Sequence, residues 1–285
     1  MTSNRDKVKQ FANQQALNDS RNAQALQDIV DDTSSDYMDW WSDFLAEYPD
    51  FDQGDYSGVP NQDLVNYLDS YAKQNGQKPV KVSNVDQMIE YAVILFTTVV
   101  AYKAIKKISN NLNNEANKTA QFGFKTYDVK SKPIDRTLVN TNFDGVNWSN
   151  SIWKNQSALR SDLSNIMRQS LLQGQNPVTY TKQLKEKFGV QKYQAERILR
   201  TESARVSALQ QAKNIKNAGF EYMEWVTGGG ACRYCMEMDG KVFKAVDFGE
   251  GRYTIPKHPN CRCSVTGFYK QNSNDDSSSD DEDDD

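Results

Sequence analysis

The sequence predicts an α+β protein, mostly helical, with a small C-terminal antiparallel sheet stapled by a zinc site. Three observations carry that reading. Apolar residues recur at helical spacing over most of the chain up to Ala218, strand-like alternation begins at Tyr222, and every cysteine and the only histidine fall within residues 232–263.

Taken in order, the first ninety residues read as an elongated polar helical arm. Val8, Phe11, Ala12, Ala16, Leu17, Ala23, Leu26, Ile29 and Val30 mark a thin apolar face. A denser aromatic segment follows, with Tyr37, Trp40, Trp41, Phe44, Leu45 and Tyr48, ended by Pro49 and the turn-rich residues 52–58. A helix from about Asn84 to Asn114, capped by Asn84 or Ser83, holds the apolar run from Ala92 to Tyr102. That run is shorter than the roughly 20 residues that cross a bilayer, so a buried core helix is expected and membrane insertion is not.

Gly123, Pro133 and Gly145 break any period between Ala120 and Phe143, which reads as a connecting loop. From Trp148 a helical face returns through Ile152, Trp153, Leu159, Leu163, Ile166, Met167 and Leu171, closed by Gly174. A short helix over Thr179–Phe188 ends at Gly189, and a longer one runs from about Gln191 to Ala218. Tyr222–Val226, Lys241–Phe243 and Ser264–Phe268 are the expected strands. The chain therefore divides into an acidic helical arm (1–82), an apolar helix and connecting loop (83–142), a compact C-terminal region (143–269) and a disordered acidic tail (270–285).

Hydrophobic residues make up 38% of the chain and the mean hydropathy is −0.78, at the polar end of globular proteins. The net charge of −4 conceals three zones. Acids outnumber bases roughly two to one up to about residue 90, bases dominate from about 101 to 215, and the chain closes on Asp280–Asp285. A basic zone can track the phosphates of double-stranded DNA, but its lysines are spread at helical spacing and equally suit a solvated helix face.

Cys232-x-x-Cys235 and His258-Pro259-Asn260-Cys261-Arg262-Cys263 bring two closely spaced ligand groups together. Zinc takes four thiolate or imidazole ligands in a tetrahedron, and residues three apart in a turn can both reach one ion. Cys261 and Cys263 point the same way on an extended segment, whereas His258 and Cys261 converge if Pro259 and Asn260 form a turn. Both a four-cysteine and a three-cysteine, one-histidine shell fit, so the ion takes four of these five groups. No apolar leader follows Met1, which favours a reducing cytosol over disulfides. A deaminase-type zinc site needs His-x-Glu ahead of Pro-Cys-x-x-Cys, and Ala231 stands where that proline would be. With no complete catalytic constellation, a structural ion is expected rather than an enzyme.

Within Arg200-Thr201-Glu202-Ser203-Ala204-Arg205, Glu202 and Arg205 share a helix face while Arg200 points elsewhere. Two readings suit the pair: a surface ion pair, or a carboxylate and guanidinium holding this helix to the sheet.

These motifs, with an Asp144-Gly145-Val146-Asn147-Trp148-Ser149 entry, a Gln173-Gly174-Gln175-Asn176-Pro177 turn and Asp239-Gly240, occur in an order that resembles the Mu F-like minor head proteins of tailed bacteriophages over roughly residues 143–269. The resemblance implies a virion or procapsid-interior protein, made in the host bacterial cytoplasm. It would associate with the portal protein, and with scaffold and major capsid proteins, in head morphogenesis and DNA packaging or ejection. It carries over Arg200, Glu202 and Arg205 as a structural motif, and Cys232, Cys235, His258, Cys261 and Cys263 as the metal-binding motif. It carries over no catalytic residue. The competing reading is a metal-containing enzyme acting on nucleic acid or host protein, with Glu202 in a cleft beside the ion.

Overall fold

A computed structural model of the chain describes residues 3–48, 56–134, 136–140, 147–173 and 178–269. Helices dominate: α1 (Asn4–Glu47), α2 (Gln62–Gln74), α3 (Val85–Tyr127), α4 (Arg136–Asn140), α5 (Trp148–Gln173) and α6 (Val178–Asn217). A three-stranded antiparallel sheet follows, built from β1 (Tyr222–Val226), β2 (Val242–Lys244) and β3 (Ser264–Phe268) in the order β2-β1-β3. A short helix α7 (Arg233–Met238) lies between β1 and β2. The expected mostly helical α+β class with a C-terminal antiparallel sheet is what the chain adopts.

The helices are longer than the sequence pattern suggests, and glycine explains most of the difference. The expected break at Gly189 does not occur. An exposed glycine costs a helix only about 1 kcal/mol, and Leu184 and Phe188 are buried just before it, so packing holds α6 in one piece. Gly123, expected in a loop, lies inside α3 because a Cβ there would fall 2.2 Å from Asn214 Nδ2. It marks a close crossing of α3 and α6 rather than a stop. Asn84 caps α3, accepting from the Gln87 amide at 2.9 Å.

Nor does α1 stand apart as an arm. It packs along α3 and α6 and reaches β3. Its apolar face looked thin because polar Gln15, Asp19, Thr33 and Ser34 are buried along with it.

The C-terminal half of α1 joins α2, the start of α3, α5 and the start of α6 around Tyr37, Trp40, Phe44, Leu68, Met88, Phe96, Leu163 and Phe188. A second cluster centres on Leu26, Ile108, Leu112 and Leu199. A third, under the sheet, contains Ile215, Met223, Trp225, Phe243, Val265 and three of the cysteines. An 18-residue window of α3 is apolar enough by composition to cross a membrane, yet 67% of it is buried inside the protein, as in a core helix. The Asp144–Val146 entry, the 174–177 turn and the tail after Tyr269 lie outside the described residues.

Candidate metal centre and the helix that carries it

Cys232 sits at the N-cap of α7, with its carbonyl accepting from the Met236 amide at 2.9 Å. One helical turn therefore presents Cys232 and Cys235 together. On the facing segment the Cys261 amide donates to the His258 carbonyl at 3.1 Å, and Asn260 takes φ 63°, a left-handed conformation asparagine tolerates better than most residues. The Pro259-Asn260 turn thus exists, and it swings His258 toward Cys232 and Cys235.

His258 Nε2 lies 3.2 Å from Cys232 Sγ and 3.4 Å from Cys235 Sγ, and Cys235 Sγ is 3.9 Å from Cys261 Sγ. Ligand atoms of a tetrahedral zinc with bonds near 2.0–2.3 Å stand about 3.5–3.8 Å apart, and these separations fall within about 0.3 Å of that spacing. Two overlapping trios meet at Cys235, one with Cys232 and His258 and the other with Cys261 and Cys263. All five expected groups are brought together, and they could hold a metal ion. His258 Nδ1 is 2.8 Å from the Pro259 carbonyl. A proton on Nδ1 donated there leaves the Nε2 lone pair facing the sulfurs, the usual outer support of a ligating histidine.

Three of the four sulfurs are buried and only Cys232 is exposed. Their titration shows how crowded they are. The Cys261 thiol is drawn down to about 5, first by the hydrogen bond it receives from Cys263. The Cys263 thiol is pushed up by donating that bond and by burial, and Cys235 is pushed up to about 12 by burial and by the Cys261 charge. Thiols this close oppose one another's ionisation, and a bound cation would allow several to ionise together.

The centre is fixed to α6 by the motif that precedes it in sequence. Thr201 Oγ1 accepts from the Asn260 amide at 3.0 Å and so anchors the ligand turn. Buried Glu202 accepts from Arg205 Nε at 2.6 Å, and Arg205 donates onward to the Leu138 and Val139 carbonyls at 2.9 and 2.7 Å. The ion pair therefore ties α6 to α4 rather than to the sheet. Ser203 Oγ accepts from Asn111 of α3 at 2.9 Å. Ser207 donates to Gln15 of α1 at 2.8 Å. Arg200 pairs with Glu196 one turn away. Successive residues of one helix thus bind the ligand turn, α4, α3 and α1.

Residues the sequence did not single out complete this arrangement. A Cβ on Gly228 would fall 2.3 Å from the Arg262 carbonyl, so the glycine run ahead of Cys232 lets the two backbones meet. Arg262, half-buried between two candidate ligands, faces Asp19 of α1, which also receives a hydrogen bond from Ser203. Glu115 of α3 is buried nearby with Oε1 unpartnered. Burial raises Asp19 to about 6 and Glu115 to about 8, with the Asp19 charge adding to the latter. The signal was present: Asp19 and Glu115 occupy positions that continue the apolar stripes Ala23-Leu26-Val30 and Ile108-Leu112. Arg5 clamps the start of α1 to the sheet, pairing with Glu224 and, at 2.7 Å, with Asp239.

Residues 161–266 match the family described as phage Mu protein F like protein, a stretch from within α5 to β3 that holds the whole ligand set and its supporting helix. No curated protein and no solved structure matches the chain.

Proposed function

We propose, from the premise of a phage Mu F-like domain at residues 161–266, that the protein is a minor head protein acting at the portal vertex in head morphogenesis and in DNA packaging or ejection. The family implies a phage head morphogenesis protein, and this match is the observation that carries the reading. Its proposed partners are the portal protein first, then scaffold and major capsid proteins, in a virion or procapsid interior. The basic zone from about 101 to 215 supplies a surface for double-stranded DNA. Residues 143–269 are proposed as the working unit, with the preceding segments and the tail as accessory parts.

The ion is proposed to be zinc in a structural role, since soft thiolates with imidazole in a tetrahedral set suit it best. The close pairs favour Cys232, Cys235, His258 and Cys261 as ligands, with Cys263 donating to the Cys261 sulfur. When bound, the ion supplies a cross-link between the α7 turn and the Asn260 turn. Arg200, Glu202 and Arg205 then organise the helix beneath it. Burial of Glu202 and its pairing with Arg205 suit this role better than that of a base in an open cleft.

The test is capture of an affinity-tagged full chain from cells that also express the neighbouring head genes. Portal protein is expected to co-purify in stoichiometric amount. Its absence, with the other head proteins present and the chain folded, would overturn the placement at the portal vertex.

A further inference from the structure

Beneath the ligand turn the buried polar layer encloses a cavity of about 20 Å³. Gln15 and Asp19 reach it from α1, Glu115 from α3, and Ser203 and Ser207 from α6, while Arg262 lines it from the ligand turn. Each of the first five residues is at least nine-tenths buried. Within α1 and within α6 the two contributors stand four positions apart, so one helix face offers both. The space admits one water-sized particle and no hydration shell around it.

The protons around this cavity are already committed. Ser207 donates to Gln15 Oε1 at 2.8 Å, the Gln15 amide donates to Thr119 Oγ1 at 3.2 Å, and the Ser203 hydroxyl bonds to the Asp19 carboxylate. Glu115 Oε1 has no hydrogen-bond partner among the described residues. An orphaned buried carboxylate oxygen is costly, and it points to a positively charged occupant. Arg262 does not meet that need: it lies within electrostatic reach of Asp19, but among the described residues it pairs with neither carboxylate at salt-bridge distance. Arg200 is paired with Glu196, and Lys118 is exposed to water, which screens it. Asp19 and Glu115 set against Arg262 leave one negative charge, which suits a univalent cation. The donors that remain are oxygens, as a hard cation prefers, unlike the sulfur and imidazole set of the metal centre. Magnesium would keep water ligands for which the cavity has no room.

We propose that the cavity binds one dehydrated sodium ion, held by Asp19 and Glu115 with the oxygens of Gln15, Ser203 and Ser207, and so joins α1, α3 and α6 beneath the ligand turn. Urea unfolding of the full-length chain tests this, with sodium chloride compared against choline chloride at equal ionic strength. The measurement is made at about pH 9, because burial raises Glu115 to about 8 and below that a proton takes the ion's place. Sodium at about ten times its Kd is expected to raise the folding equilibrium constant about tenfold. Glu115→Gln keeps the shape of the side chain, removes its charge and is expected to lose that response. Equal stability of the parent chain in the two salts, as a proton or a water alone in the cavity would give, overturns the proposal, and so does an undiminished response in Glu115→Gln. Binding is also read without unfolding, from the line width of the sodium NMR signal. The parent chain is expected to broaden that signal more than Glu115→Gln does, and equal broadening by both would count against the site.

Discussion

The two ends of the helical bundle are held by opposite chemistry, although the same three helices run through both. At one end α1, α3 and α6 meet over a dry aromatic core in which Tyr37, Trp40, Phe44, Phe96 and Phe188 are almost wholly buried. At the other they meet through Gln15, Asp19, Glu115, Thr119, Ser203, Ser207 and Asn214, all buried and polar. Apolar burial is non-directional and tolerates small adjustments, whereas a buried polar layer is satisfied in only one arrangement. The candidate metal centre sits on the polar end. Its ligand turn is anchored by the hydrogen bond that Thr201 accepts from the Asn260 amide, and Arg262 lies within electrostatic reach of Asp19.

That contrast should be broken most strongly at the proposed zinc site. Cys261→Ser is expected to remove stoichiometric zinc, as read by atomic absorption, and to expose the amides of 222–268 to hydrogen exchange while the aromatic end keeps its protection. Structural zinc contributes on the order of 10 kcal/mol in small zinc domains, so an unchanged zinc content would refute the shell. Cys263→Ser is expected to keep most of the zinc, which separates the ligand from its donor.

At the opposite end Trp40→Ala should cost about 3–5 kcal/mol in urea unfolding, because a fully buried ring leaves a cavity. Zinc content should stay the same, and its loss would show that the two ends are not separable. Glu202→Gln weakens a charge-assisted bond to Arg205 and should cost about 1.5–3 kcal/mol. A loss of under half a kcal/mol would show that the pair does not organise α6.

A further test of the polar end concerns protons. Glu115 is raised by burial and by Asp19, and the charged groups facing this layer are Asp19 on α1, Lys118 on α3, Arg200 on α6 and Arg262 in the ligand turn. A carboxyl raised from 4.5 to about 8 binds its proton more tightly in the folded state, so ionisation opposes folding. Stability should therefore fall as pH rises from about 4.5 to 8 and level off above. Glu115→Gln should flatten that slope, as read from urea midpoints at pH 5 and 8.5. A slope unchanged by the substitution would place the proton elsewhere.

Much of this was legible in the residues. The spacing of Cys232, Cys235, His258, Cys261 and Cys263 needs only a turn to become a ligand set, and Asn84 marks the start of α3 by the hydrogen bond its side chain can make. Gly123 and Gly189 misled, since a glycine reads as a break unless one knows that Asn214 fills the space of a missing Cβ or that Phe188 is anchored in a core. Arg205 was readable as a partner of Glu202, but its second attachment, to the carbonyls of Leu138 and Val139, is 67 and 66 residues away.

Local chemistry is written in sequence because it depends on residues a few positions apart: caps, ligand pairs, strand alternation and the sign of charge in each zone. The tertiary structure alone decided which polar groups are buried against one another. It put Thr201 under the Asn260 turn, Asp19 opposite Arg262, and the end of β3 beside Tyr127 of α3. Those contacts depend on how distant segments approach in space, and no periodicity along the chain records that approach.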